Sequence, residues 1–178
     1  MLKNSRLLKY VLDRAALISD GAGVSSNGFV LVLLALLADA DMGRLPGELN
    51  SGDVKRELCD VKAVFYGLNF DVFDAISALG NEITSPDYDD DADCDLFRTA
   101  ADAAIQKARS CGEKTVCTVH YLTQIISAPT AVICRVILGN VQPVTPSLKE
   151  LLSEIYDDID AELEESFNDD KKKEQSSS

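Results

Sequence analysis

One stretch constrains the fold of this chain more than any other: residues Phe29–Ala38 read Phe-Val-Leu-Val-Leu-Leu-Ala-Leu-Leu-Ala. Leu and Ala are strong helix formers, and Ser25, Ser26 and Asn27, which come just before, are typical helix N-caps. A helix that is apolar on nearly all sides has to be enclosed by other elements of the fold. The run reaches only about half of the ~20 residues that span a bilayer. We therefore predict a buried central helix in a globular protein.

Further helical patterns surround this run. The first, with apolar residues at i, i+3 and i+4 spacing from Leu7 to Ile18, ends before Gly21 and Gly23. Residues 39–52, which include Pro46, predict a loop. The remaining predicted helices are 53–66, one capped by Asp71 that runs to Leu79, 97–111, one capped by Thr118 and covering 119–127, one starting at Ala128-Pro129, and a last one from Pro146 through Leu163.

Composition and charge narrow the classes of function. Hydrophobic residues make up 46% and charged residues 26% of the chain, the balance of a protein with a real core. The net charge of −13 argues against nucleic acid and against anionic membrane surfaces as partners. The N-terminal residues lack the continuous apolar region of a signal peptide, so we expect a cytoplasmic protein.

The cysteines and the single histidine argue against a metal or disulfide framework. None of the five cysteines forms a C-x-x-C pair. Cys59, Cys117 and Cys134 lie among apolar neighbours, so we expect them to be small core residues. His120 is expected to bond local backbone near a helix start, with a polar contact at a binding surface as the alternative.

The motifs of catalysis are missing from the sequence. It contains no G-x-x-x-x-G-K-[ST] phosphate loop, no G-x-S-x-G element and no H-E-x-x-H pair, which predicts a non-enzyme without cofactor or metal. Residues 87–98 place carboxylates in alternation as a calcium loop does, but Ala92 replaces the turn glycine and Arg98 the bidentate glutamate. We predict an acidic linker there. An enzyme that uses Asp89 and Asp91 is the weaker alternative.

The order of elements occurs twice: amphipathic helix, break with glycine, very apolar helix, shorter helix, capped helix. In the second half, Ala108-Arg109-Ser110-Cys111-Gly112 is followed by Thr118-Val119-His120-Tyr121-Leu122 and by Cys134-Arg135-Val136-Ile137-Leu138-Gly139. The first half has the apolar helix Val30–Leu37 and the turn Leu68-Asn69-Phe70-Asp71. In these features, from about residue 5 to 158, the chain resembles Clp ATPase N-terminal domains, which carry a double Clp N repeat.

The chain departs from this family at three points. Val119 stands where the family has the glutamate of a Thr-Glu-His motif. In some members that glutamate helps to bind phosphorylated arginine, so the resemblance does not extend to this ligand. The first half lacks the motif and offers Ser26, Asn27 or Phe29 there, depending on the register. It also has a longer loop between Ala38 and Asp53 than the family usually keeps.

The resemblance implies an all-α fold of two pseudo-twofold-related four-helix repeats over residues 1–158. Repeat one covers about 1–80, the acidic linker about 81–95, and repeat two about 96–158, while 159–178 form an acidic helix extension and a disordered tail. It also implies a non-catalytic domain that docks substrate or adaptor proteins for a Clp-type unfolding ATPase, whose rings lie in the same or a partner chain. The alternative is a stand-alone regulatory or scaffold protein without an ATPase. The expected partner-binding residues are Thr118, Val119, His120 and Tyr121.

Overall fold

A computed structural model describes residues 1–19, 23–66 and 71–136, and helices dominate this part of the chain. The all-α prediction is therefore confirmed. The elements, in chain order, are β1 Lys3–Asn4, α1 Arg6–Ile18, α2 Ser26–Asp41, a 3₁₀ turn Gly47–Leu49, α3 Gly52–Tyr66, α4 Val72–Ile83, α5 Asp90–Ser110, β2 Thr115–Val116, α6 Thr118–Ser127 and α7 Ala131–Val136. The helix predicted from Pro146, the tail and the 68–70 part of the turn before Asp71 lie outside the described residues.

Helix α2 is the centre of the core, as its apolar sequence predicts. It packs against α1, α4 and α5, and Phe29, Val30, Leu33 and Leu34 are completely buried. Around it, α5 packs on α6, α3 on α6, and α4 on α7. All these neighbours contribute side chains to one continuous apolar cluster, so the described elements share a single core.

Short polar side chains determine where several helices begin. The Asp71 carboxylate accepts a hydrogen bond from the Asp74 amide, which confirms the predicted N-cap of α4. The Ser25 hydroxyl accepts one from the Gly28 amide, so Ser25 is the N-cap of α2 among the three candidates Ser25, Ser26 and Asn27. The prediction for α6 was wrong by one residue. Its N-cap is Cys117, and Thr118 is the first helical residue.

A small parallel sheet holds the start of the chain against the second half. Strand β1 pairs with β2 so that Lys3 lies opposite Thr115 and Asn4 opposite Val116. The Ser5 amide donates to the Val116 carbonyl at 2.8 Å. This pairing brings the first turn of α1 beside the first turn of α6, and nothing in the local sequence predicts it.

The acidic stretch at 81–95 is not a linker of that length. Helix α4 continues to Ile83 and α5 begins at Asp90, which leaves a short connection over residues 84–89. Asp89 is the N-cap of α5, since its carboxylate accepts from the Ala92 amide. Carboxylates in a first helical turn are favoured by the helix dipole, so the aspartates that suggested a linker instead start a helix.

Three smaller predictions also need correction. Helix α2 runs to Asp41, and the predicted loop at 39–52 contains the 3₁₀ turn. Cys59 is exposed instead of buried, whereas Cys94 is buried. Helix α7 starts at Ala131, after Pro129, and the Thr130 hydroxyl accepts from the Ile133 amide at 3.2 Å.

Candidate functional site

The most organised polar groups lie at the N-terminal ends of the two apolar helices, α2 and α6. At each end, a carboxylate from another element accepts a hydrogen bond from a backbone amide in the first turn. The Thr118 amide donates to Glu57 Oε1 at 2.8 Å, and the Asn27 amide donates to Asp93 Oδ2 at 3.1 Å. The first amides of a helix have no partner within it and attract negative charge. Both positions are thus filled by the protein's own side chains.

Glu57 connects three helices at the start of α6. Besides the Thr118 amide, its Oε1 accepts from the Thr118 hydroxyl at 2.8 Å and from the Ser5 hydroxyl at 2.7 Å. Ser5 is also the N-cap of α1, because its Oγ accepts from the Leu8 amide. One carboxylate oxygen on α3 therefore fixes the starting points of α1 and α6 together.

His120, on the first turn of α6, uses both of its ring nitrogens. Nδ1 accepts a hydrogen bond from the Cys117 amide at 2.9 Å, which confirms that His120 bonds local backbone. Nε2 lies 2.8 Å from Glu113 Oε2. Because an accepting Nδ1 leaves the proton on Nε2, the imidazole donates to Glu113 in its neutral form. The ring is thereby locked in place.

Cys117 lies beside this histidine, but its thiol is not activated. Burial raises the pKa of Cys117 to about 12, and the negative charges of Glu57, Glu113 and Asp60 act in the same direction. A nucleophilic cysteine needs a lowered pKa and a base that can take its proton. Here the base is already engaged by backbone and by Glu113, so the group has the character of a structural cap.

The four residues predicted to bind a partner are brought together at this end of α6, but they face inward. Thr118 is fully buried, and Val119, His120 and Tyr121 are each less than a tenth exposed. A partner that approaches the folded chain meets the partly exposed Glu113 beside them, whose side chain is 29% exposed. Their role in binding stays a prediction.

The corresponding end of α2 centres on Asp93, which sequence reasoning missed. Asp93 is 4% exposed, and its Oδ2 accepts from the Tyr88 hydroxyl at 2.5 Å as well as from the Asn27 amide. Its Oδ1 is buried without a hydrogen-bond partner. The Asn27 side chain accepts from the Thr130 hydroxyl at 3.0 Å. The sequence spacing could have indicated its burial, because Asp93 lies four residues before the apolar Phe97 and therefore on the same face of α5.

Three aromatic rings lie between the two helix ends. Their centroids are 5.3 Å apart for Phe29 and Phe97, 5.8 Å for Phe29 and Tyr121, and 5.7 Å for Phe97 and Tyr121. Phe29 is the fourth residue after the N-cap Ser25, and Tyr121 is the fourth after the N-cap Cys117. The two rings therefore occupy the same position on their respective helices.

Comparisons with protein-family models, curated proteins and solved structures each find no match for this chain. In residues 1–19, 23–66 and 71–136, no group of three or more His, Cys, Asp or Glu side chains is arranged to hold a metal ion. Over the same residues, none of the helices is both long and apolar enough to cross a membrane.

Proposed function

We propose that this chain is a non-catalytic protein-binding domain made of two Clp N-like repeats. In this proposal it docks substrate or adaptor proteins for a Clp-type unfolding ATPase, whose rings lie in the same or a partner chain, in the cytosol. The proposal rests on the sequence resemblance together with the internal correspondence of the two helix pairs.

The observation that carries it is the contact between Phe29 and Tyr121. The two rings stand at the same position after the N-caps of α2 and α6, and they stack with centroids 5.8 Å apart. Equivalent residues of two repeats touch each other where a twofold axis passes between them. The ring pair is thus what a pseudo-twofold arrangement of two repeats predicts at its axis.

The helices around this pair support the same arrangement. Helix α1 packs on α2 as α5 packs on α6. A glycine with positive φ lies between the helices of each pair, Gly23 at 114° and Gly112 at 71°. In each pair the second helix is apolar and receives a carboxylate, Asp93 or Glu57, at its first turn. The predicted counterpart of α4 in the second repeat, the helix from Pro146, lies outside the described residues.

The chemistry of the α6 end favours binding over catalysis. The Cys117 thiol has its pKa raised to about 12, and both nitrogens of His120 are engaged. A domain that captures other proteins needs apolar anchors within a polar surface instead. Among the described residues, large apolar side chains that remain well exposed are those of the N-terminal Met1 and of Leu17, Met42, Phe73 and Leu96.

A peptide array tests the binding proposal. The intact chain is applied to overlapping peptides from unfolded model proteins, and peptides that it retains are measured again in solution by fluorescence anisotropy. We expect saturable binding. Single Ser substitutions are made at Leu17, Met42, Phe73 and Leu96, and at least one of them should lower the affinity for the peptide at least tenfold. Lys3→Ser, which alters an exposed polar position, is the matched control and should bind as the wild type does.

A chimera then tests delivery. The chain replaces the N-terminal domain of a Clp-type ATPase, and unfolding of a fluorescent reporter fused to a retained peptide is followed. The proposal expects faster unfolding than with the ATPase that has no N-terminal domain. Peptide binding without faster unfolding would support the stand-alone scaffold, and absence of any peptide binding would refute direct capture of unfolded substrates.

A further inference from the structure

The buried carboxyl of Asp93 joins three segments of the fold. Asp93 lies in the first turn of α5. Its carboxyl accepts one hydrogen bond from the Tyr88 hydroxyl, in the connection at 84–89, and another from the Asn27 amide, at the start of α2. Asp93 is 4% exposed. We refer to Asp93, Tyr88 and the amide of Asn27 as the Asp93 latch.

The two oxygens of this carboxyl have unequal surroundings. Oδ2 accepts both hydrogen bonds, whereas Oδ1 is buried with no partner. An ionised carboxylate spreads its charge over both oxygens, so the buried Oδ1 would carry part of that charge without a donor, which is costly. A neutral carboxyl lowers this cost, because the oxygen without a partner then belongs to an uncharged group.

The charged groups around the latch do not favour the ion. Within the described residues, Asp93 forms no salt bridge with a Lys, Arg or His side chain. On its own helix, Asp90 adds a negative charge one turn earlier. Ser19, the C-cap of α1, contributes only a neutral hydroxyl, which donates to Asp90 at 3.3 Å. From α2 come the backbone amides of Asn27 and Ser26, which favour the ion, and from the connection comes the neutral phenol of Tyr88.

We propose that the Asp93 latch is a proton-dependent fastener, in which a protonated Asp93 holds α5 and the 84–89 connection against α2, and loss of the proton loosens them. The hydrogen bonds from Tyr88 and the α2 amides favour the ion, but they are outweighed. Burial, the largest effect, raises the pKa of Asp93 above the ordinary value of 3.8.

The direction of the pH effect follows from linkage. Since the pKa of Asp93 is raised on folding, the folded chain binds more protons than the unfolded chain between 3.8 and the folded value. The latch therefore contributes most at low pH, and its contribution is lost as the pH rises through the folded pKa. Most folded-state aspartates show the opposite trend.

Carboxyl ¹³C NMR on the intact wild-type chain tests the proposal directly, with Asp93 assigned through its own backbone amide. We expect its titration midpoint to lie above 3.8, and a midpoint at or below 3.8 would overturn the proposal. Tyr88→Phe removes a donor that favours the ion, so it should move the midpoint upward. A midpoint that stays in place would show that Tyr88 does not act on Asp93.

The unfolding free energy gives a second test against pH. The wild type should lose stability relative to Asp93→Asn as the pH rises through the Asp93 midpoint. Asp91→Asn changes an exposed carboxylate in the same helical turn and should keep the wild-type pH profile. Identical profiles for wild type and Asp93→Asn would contradict the latch. If Asp93→Asn does not fold, the wild-type and Tyr88→Phe titrations decide. None of these measurements depends on peptide binding, so they stand apart from the proposed function.

Discussion

The rings of Phe29 and Tyr121 stack at an interplanar angle of 24°, with their centroids 5.8 Å apart. Each lies on an apolar helix, four residues after the N-cap. The ring of Phe97, on α5, packs against both of them. Phe29 is completely buried and Tyr121 is 4% exposed. The pair therefore couples α2 and α6 through the middle of the core.

We expect Phe29→Ala to lower the unfolding free energy by about 3–5 kcal/mol, the usual cost of truncating a buried ring. A double-mutant cycle with Phe29→Leu and Tyr121→Leu should show a coupling of about 0.5–1.5 kcal/mol, as aromatic pairs do. Chemical denaturation of Phe29→Ala, the two single Leu variants, the double Leu variant and the wild type measures both quantities. Additive effects would indicate that the rings are merely buried side by side.

The central position of α2 can be tested by placing the same charge at a buried and at an exposed leucine. Leu34 on α2 is completely buried, whereas Leu17 on α1 is 78% exposed. Leu34→Asp should unfold the chain, because an unpaired buried charge costs several kcal/mol against a total stability of about 5–15 kcal/mol. Leu17→Asp introduces the same charge at the surface and should leave the melting curve almost unchanged. Circular dichroism melts of both variants test the pair, and a folded Leu34→Asp chain would contradict the placement of α2.

Sequence patterns predicted the elements whose formation depends on nearby residues. The apolar run from Phe29 and the cap at Ser25 lie within a few residues of each other, and both were found as predicted. The β1–β2 pair could not be predicted in this way. Each strand is two residues long, and Lys3 pairs with Thr115 across most of the described chain, so no local signal marks either partner.

Errors at single residues have a common cause in helical phase. Cys59 lies between Leu58 and Val61 of α3, and its apolar neighbours along the chain suggested burial. The buried face of α3, however, is made by Val54, Leu58, Val61, Val64 and Phe65. Cys59 is rotated by about 100° from Leu58 around a helix of 3.6 residues per turn. Asp93 was missed because the helix was predicted to start at Phe97, whereas α5 starts at Asp90. The helical phase that Asp93 shares with Phe97 was therefore not applied to it.

Glu57 provides a test of the α6 end that separates charge from hydrogen bonding. Glu57→Ala leaves the Thr118 amide, the Thr118 hydroxyl and the Ser5 hydroxyl without their acceptor, so we expect a loss of about 2–4 kcal/mol. Glu57→Gln keeps an acceptor oxygen in the same position and should lose about 1 kcal/mol. Urea denaturation gives the order of the two variants. Equal losses would show that the charge of Glu57, and not its hydrogen bonds, stabilises the helix start.

Cysteine reactivity tests the electrostatics of the same region. Cys59 and Cys111 are exposed, whereas the pKa of Cys117 is raised to about 12 by burial and by the surrounding carboxylates. Since only the thiolate reacts, iodoacetamide at pH 8 should label Cys59 and Cys111 in the folded chain and leave Cys117 unmodified, and peptide mass spectrometry identifies the labelled sites. In denaturant Cys117 should react as fast as the other two, which controls for its local sequence. Rapid labelling of Cys117 in the folded chain would mean that the thiol is activated by His120, and the assignment of this group as a structural cap would then be wrong.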